Sequence, residues 1–242
     1  MKKLLFWSFI IVITASGCRD IFGKRVRGSG HIQSEARSVS SFNNIDVSGA
    51  IDVYVKQDSV ASVKVETDDN LLEYVEVFND GGTLDIHQRR GFNLRPSHKI
   101  KVFVSNPSFK HFEASGACNI YSENKITSNE LVSINLSGAS DIKMEVSAPK
   151  VTADLSGAGT ITMKGETKDF RVDGSGASDI KCFDLMSENT SVEITGAGSA
   201  EVHASVKLDV HVSGAGDVKY KGNASVSQRV SGAGSVKKVD TP

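Results

Sequence analysis

Asp141, Asp179 and Asp217 are the residues whose spacing first suggests chemistry, each standing four residues after the Ser of a Ser-Gly-Ala tripeptide. Carboxylates held at a fixed separation can act as acid and base on a glycosidic bond. Counting that Ser (or Thr) as position 1, position 5 reads Asn119, Asp141, Thr160, Asp179, Ser199, Asp217 and Ser235 along the chain. If the repeats stack as coils about 4.8 Å apart, successive aspartates fall about 10 Å from each other, beyond the about 6.5–9.5 Å of an inverting carboxylate pair. Neighbouring coils with aspartates would hold two carboxylates about 5 Å apart, so an alternating column is what repulsion in an exposed stack selects. The aspartates also lack the dense oxygen ligands and the Gly-Gly-x-Gly-x-Asp pattern of calcium repeats.

Other reactive residue types fare no better. The histidines (His31, His87, His98, His111, His203 and His211) show no metal-ligand spacing and read as surface residues. Neither Arg27-Gly28-Ser29-Gly30 nor Asp173-Gly174-Ser175-Gly176 is a strand-to-helix nucleophile elbow. Cys118 and Cys182 lie three repeats apart, about 14 Å along a stack, too far for a disulfide, and read as buried small apolar residues. The chain is therefore not read as an enzyme, and neither cofactor nor metal is expected. A polysaccharide-active enzyme on the same fold is the catalytic alternative. For recognition, the segment His87–His98 stands out. It joins two strand-like runs and places Arg89, Arg90 and Arg95 beside Phe92 and Leu94 on a long loop, where arginine and aromatic side chains serve as binding anchors. Stacking on sugars would need aromatics, and beyond Tyr121 only Phe170, Phe183 and Tyr220 remain, so an aromatic-dependent site belongs toward the N-terminal region.

The elements that must carry these residues are set by the tripeptide itself. Its glycines are Gly49, Gly116, Gly138, Gly157, Gly176, Gly196, Gly214 and Gly232, and from Gly116 on they are spaced 22, 19, 19, 20, 18 and 18 residues apart. A period near 20 marks a solenoid. Position 6 is apolar throughout (Ile120, Ile142, Ile161, Ile180, Ala200, Val218, Val236), and alternating apolar residues precede each tripeptide. Each repeat thus predicts short strands meeting at a Ser-Gly-Ala corner, where a sharp bend favours φ > 0 and stacked neighbours leave no room for a Cβ. No helix follows the glycines, so they do not form a phosphate cradle. The fold class is all-β, a parallel β-helix over 115–242. Residues 38–114 instead alternate as hairpin-like strands, with one helical turn over Asp68–Tyr74, and read as an N-terminal β-region of the same continuous domain.

Ahead of this, Lys2, Lys3 and the apolar run Leu4–Ile13 form a leader over 1–17 that is too short to span a bilayer. Thr14-Ala15-Ser16-Gly17 precedes Cys18, and Ala-Ser-Gly-Cys resembles the lipobox of bacterial lipoproteins, which implies acylation of Cys18. Residues 18–37, polar and containing Gly23, Gly28 and Gly30, read as a tether. Loss of Lys2 and Lys3 takes the net charge from −1 to −3, which gives no footprint for nucleic acid. The polar end Lys237–Pro242 reads as a cap on the last open β-edge, disfavouring end-to-end association there.

Three stretches carry a family resemblance: Phe42-Asn43-Asn44-Ile45-Asp46-Val47-Ser48-Gly49-Ala50, Asp69-Asn70-Leu71-Leu72 with Gly82-Thr83-Leu84, and Ile100-Lys101-Val102-Phe103-Val104 leading to Ser115-Gly116-Ala117. Together with the corners and the lipobox, the chain from Phe42 onward resembles the putative auto-transporter adhesin, head GIN domain family. That resemblance implies a right-handed parallel β-helix, and it brings no ligand and no catalytic residues. The expectation is a non-catalytic binding or scaffold lipoprotein of the cell envelope, on the outer membrane. It would touch the membrane only through its lipid and would take a protein or polysaccharide ligand. A surface adhesin for polysaccharide or matrix protein is the alternative.

Overall fold

The computed structural model describes residues 23–240, so the expected leader and Cys18 lie outside the described residues. The described part of the chain is almost wholly β, with 72% strand and 3% helix, arranged as a β-solenoid of about six turns. It begins with β1 (Lys24–Arg27) and β2 (Ile32–Arg37), then enters a first coil through β3 (Asn44–Gly49) and β4 (Ile51–Gln57). β5 (Ser62–Asp68), a 3-10 helix (Asp69–Tyr74) and β6 (Val75–Asp80) lead into a second coil of β7 (Thr83–Gln88), β8 (Phe92–Arg95) and β9 (Ile100–Asn106). The repeats follow as β10 (His111–Gly116), β11 (Asn119–Thr127), β12 (Leu131–Gly138), β13 (Asp141–Gly157), β14 (Thr160–Gly176) and β15 (Asp179–Gly196). The last coils are β16 (Ser199–His203), β17 (Lys207–Gly214), β18 (Asp217–Lys221), β19 (Ser225–Gly232) and β20 (Ser235–Lys238).

Period-two alternation turns every second side chain inward, and parallel register stacks like on like. Val102, Val53, Ile120, Ile142, Ile161, Ile180, Ala200 and Val218 form one inward column, each paired in register with the next. All eight are buried. A second column runs Ile45, Phe112, Ile134, Ala153, Val172, Val192 and Val210. Each fully buried Val or Ile stabilises the fold by about 1.5–3 kcal/mol relative to exposure.

Between these columns stand the corners. Gly116 has φ +93° and Gly138 φ +78°, and a Cβ on Gly138 would lie 2.6 Å from the carbonyl oxygen of Gly116. That carbonyl is occupied, because Ala139 N–H donates to it at 2.8 Å. The same Ala-to-Gly bond links every corner to the one beneath, from Ala117 N–H to Gly49 O through Ala233 N–H to Gly214 O. The tripeptide is thus a hydrogen-bonded ladder as well as a bend.

Three features depart from expectation. First, β1 and β2 occupy most of the described part, 23–37, of the stretch read as a tether. β1 pairs in parallel with β8, and β2 pairs antiparallel with β5. Glycines suggested flexibility there, but they serve close approach: a Cβ on Gly23 would meet Gly91 O at 2.2 Å, and one on Gly28 would meet the Asp68 carboxylate at 2.3 Å. Asp68 is fully buried and accepts hydrogen bonds from Gly30 N–H (2.7 Å), Ser97 N–H (2.8 Å) and Ser97 Oγ (2.7 Å). Burial alone would raise its pKa, yet these bonds outweigh burial and hold the carboxyl below its ordinary range.

Second, spatial order differs from chain order. β3 lies between β7 and β10, and β4 between β9 and β11, so the first coil in sequence is the second in space. The N-terminal region is therefore partly solenoid, closed at its outer end by antiparallel β5 on β9, β6 on β7, and the 3-10 helix with Leu71 and Leu72 buried.

Third, the C-terminal end is not covered among the described residues. Lys237 and Lys238 belong to β20, which pairs with β18 and so extends the edge instead of blocking it. Every residue of β19 is exposed, Val226 and Val230 included. No described helix is long and apolar enough to cross a membrane.

Candidate ligand-binding site

The loop singled out from the sequence is built into the fold. Arg89 Nε donates to Glu76 Oε1 at 2.8 Å, and its guanidinium lies 5.5 Å from the centre of the Tyr74 ring. The bond from Arg89 holds the Glu76 carboxyl below its usual range. Phe92 packs on Tyr74 with ring centres 4.7 Å apart, and Leu94 is buried. These three residues anchor β8 to the end of the solenoid, because the apolar side chains of a strand laid across a core edge turn inward. Of the five residues singled out there, only Arg90 and Arg95 are exposed.

The aromatics needed for stacking gather elsewhere, on the outward side of the face formed by β9, β4 and β11. Parallel register places Phe103, Tyr54 and Tyr121 in one column. Phe103 and Tyr54 stack at 5.2 Å between ring centres, and Tyr54 and Tyr121 follow at 5.3 Å. Lys64 Nζ covers the outer end, 4.7 Å from the Phe103 ring centre. Above Tyr121 the column changes character, since its next partner in register is Lys143. Tyr54 covers one face of the Tyr121 ring, and on the other side Tyr121 borders a groove of about 440 Å³.

Two β-bulges make that groove. Opposite Met144, β11 carries three residues, Ser122, Glu123 and Asn124, between the paired Tyr121 and Lys125. Three coils further on, β15 carries Cys182 and Phe183 opposite the single Met163 of β14. The protruding residues form the two ends, and Lys143, Glu145, Thr162 and Lys164 lie between them. A bulge re-aims side chains and disrupts the ladder locally. The first is locked by a reciprocal amide pair, Gln57 N–H to Asn124 Oδ1 and Asn124 Nδ2 to Gln57 O, both at 2.9 Å. Phe183 is half-buried and held from above by Lys221, whose Nζ lies 4.6 Å from the ring centre. The groove interior offers both charges: Lys164 pairs with Glu145 at 3.0 Å, and Lys181 with Asp179 at 2.6 Å. Burial raises the Tyr121 hydroxyl above its ordinary pKa, so it stays neutral as a donor and acceptor.

These signals were partly visible in the glycine spacing. The 22-residue interval from Gly116 to Gly138 contains the first bulge, and the 20-residue interval from Gly176 to Gly196 contains Phe183.

Chemistry beyond binding finds little support in the remaining groups. The position-5 carboxylates bond to their neighbours, Asp141 Oδ1 accepting from Thr160 N–H at 2.7 Å and Asp217 Oδ1 from Ser235 Oγ at 2.5 Å. Among the described residues no three His, Cys, Asp or Glu side chains cluster as a metal site. Cys118 and Cys182 are buried and unbridged, and burial pushes the Cys182 thiol up to about 12, far from a thiolate at neutral pH.

Comparison with known proteins places the fold and the family. The chain matches the family model described as putative auto-transporter adhesin, head GIN domain, over residues 41–224. No curated protein matches it. Among solved structures it is similar to a putative adhesin from Bacteroides fragilis, with 20% identity, a TM-score of 0.82, and coverage of 88% of this chain and all of that one. It is similar also to a putative lipid binding protein from Parabacteroides distasonis, at 23% identity and TM-score 0.75, covering 89% of this chain and all of the other. A putative adhesin from the same organism shows 29% identity and TM-score 0.66 over 89% of this chain and all of its own.

Proposed function

We propose, for a chain that belongs to the putative auto-transporter adhesin, head GIN domain family, a non-catalytic binding role at the cell envelope, with the groove between Tyr121 and Phe183 as the ligand site. The observation that carries this reading is the pair of bulges. One follows directly after Tyr121 and the other carries Phe183, so two aromatic side chains stand three coils apart, about 14 Å along the axis, with charged and hydroxyl groups between them. That length suits an extended chain better than a compact metabolite, and the mixture of aromatic edges with hydrogen-bonding groups suits a polysaccharide. The adhesin description of the family and of two structural relatives supports a surface or exported role. Cys18, following the small residues Thr14–Gly17, is the anchor in this reading, acylated and seated in the outer membrane.

A glycan array and an envelope-extract pull-down with the purified protein test the site. Tyr121→Ala and Phe183→Ala should each lower retention about tenfold or more, in line with about 1–3 kcal/mol per stacked ring. Retention of polysaccharide that neither substitution changes would sink the groove. Capture of protein alone, lost in both variants, would keep the groove and replace the ligand class. Metal-dependent cleavage of any bound polysaccharide would overturn the non-catalytic reading.

A further inference from the structure

At the opposite end from the open edge, the β1–β8 ribbon carries a concentration of positive charge that the groove does not use. Lys24, Arg25 and Arg27 on β1 are exposed, as are Arg90 before β8 and Arg95 at its end. Register places Arg27 directly beside Arg95 and Arg25 beside Asn93. Among the described residues, no carboxylate lies within 4.0 Å of any of these five cations. Of the acids near this end, Asp68 is buried under Gly30 and Ser97, Asp69 accepts from Ser29 Oγ at 2.5 Å, and Glu76 and Glu73 both face Arg89, at 2.8 and 4.0 Å. The ribbon's inward side is apolar, with Val26, Phe92 and Leu94 packed on the core, so its position is fixed by the fold.

Like charges side by side repel, and a fold gains nothing by clustering them without a counter-charge. Placement supplies the reason. Five residues separate Cys18 from Lys24, a reach of about 20 Å when extended. The acyl groups of Cys18 tether the chain without orienting it, and basic residues close to that tether add attraction to anionic headgroups and fix which end of the solenoid faces the bilayer.

We infer that the basic β1–β8 ribbon is a membrane-docking surface, recognising the anionic headgroups of a phospholipid bilayer. It seats the N-terminal end of the solenoid on that bilayer and leaves the groove on the flank accessible. This inference rests on the anchor assigned to Cys18, but the ribbon's charge acts without the acyl group.

The test uses the chain from residue 19 onward, which retains every described strand and cannot be acylated at Cys18. It should co-sediment with phosphatidylcholine vesicles containing phosphatidylglycerol, fail to do so with phosphatidylcholine alone, and be released as salt rises. Changing Arg25, Arg27, Arg90 and Arg95 together to Ala should weaken binding about a hundredfold or more. The same four positions as Lys should retain it. Equal binding to neutral vesicles, or undiminished binding by a folded Ala variant, overturns the inference. Fatty-acid labelling of the full chain in cells reads the anchor separately: an unlabelled Cys18 removes the anchor assignment, and vesicle binding then decides the role of the ribbon by itself.

Discussion

Ser199 Oγ donates to Asp179 Oδ1 at 2.5 Å, one coil below it in register, and this bond explains why aspartates skip alternate coils. The column at that position runs Asp52–Asn119, Asp141–Thr160, Asp179–Ser199 and Asp217–Ser235, each acid accepting from the residue above it. Repulsion excludes a second acid, and the residue above supplies a bond, from its side chain at Asn119, Ser199 and Ser235 and from its backbone N–H at Thr160. Ser199→Ala should cost about 1 kcal/mol in denaturant unfolding. Ser199→Asp should cost more, since it sets two carboxylates one coil apart, and high salt should return part of the difference. Equal losses for both variants would count against the ladder.

The corner glycines should separate by environment. Gly138→Ala combines φ +78° with a Cβ 2.6 Å from the carbonyl that receives the Ala139 bond, so a loss of roughly 2–4 kcal/mol is expected. Gly81→Ala has φ +57° and nothing within 4 Å of the new Cβ, and should cost only about 1 kcal/mol. Thermal unfolding of the two variants decides whether stacking or dihedral preference dominates.

Asp68 makes the N-terminal closure sensitive to acid. Its folded carboxyl is held below the ordinary value of 3.8, so the stabilisation is complete above that value and is lost as pH falls through the lower folded one. Asp68→Asn should destabilise the protein by about 1.5–3 kcal/mol at neutral pH and flatten its pH dependence in the acid range. An unchanged acid limb in this variant would place the titrating group elsewhere.

Asn124→Ala removes both bonds that lock the first bulge to Gln57. A loss of about 1–2 kcal/mol is expected, with weaker ligand retention by the groove even though the side chain carries no ring. Full retention would show that the bulge holds its shape without the clamp.

Amide hydrogen exchange should follow the two ends. β14 is paired on both sides along nearly its whole length, apart from Met163 and Lys168, whereas β19 is paired on one side and fully exposed. Amides of β19 and β20 should exchange orders of magnitude faster than those of β14. Equal protection would reveal that something covers the C-terminal edge in solution.

What is local and periodic in this fold is legible in the residues alone. Ser-Gly-Ala sets the corners because a positive φ and an absent Cβ are properties of glycine. Alternating Ile and Val set the inward columns because a strand turns every second residue to one side. Even the bulges leave a trace, in the long intervals after Gly116 and Gly176. Which distant residues became neighbours followed from the packing of the coils. Phe103, Tyr54 and Tyr121 stack because β4 is inserted between β9 and β11, against their order in the chain. The glycines at 23 and 28 look like those of a flexible linker until Gly91 and Asp68 are packed against them. Nor could composition tell that Phe92 and Leu94 would turn into the core while Arg90 and Arg95 stayed out beside β1. The physical reason is common to all three: a parallel β-stack couples residues by register, and register is set by the whole core and not by any local run of residues.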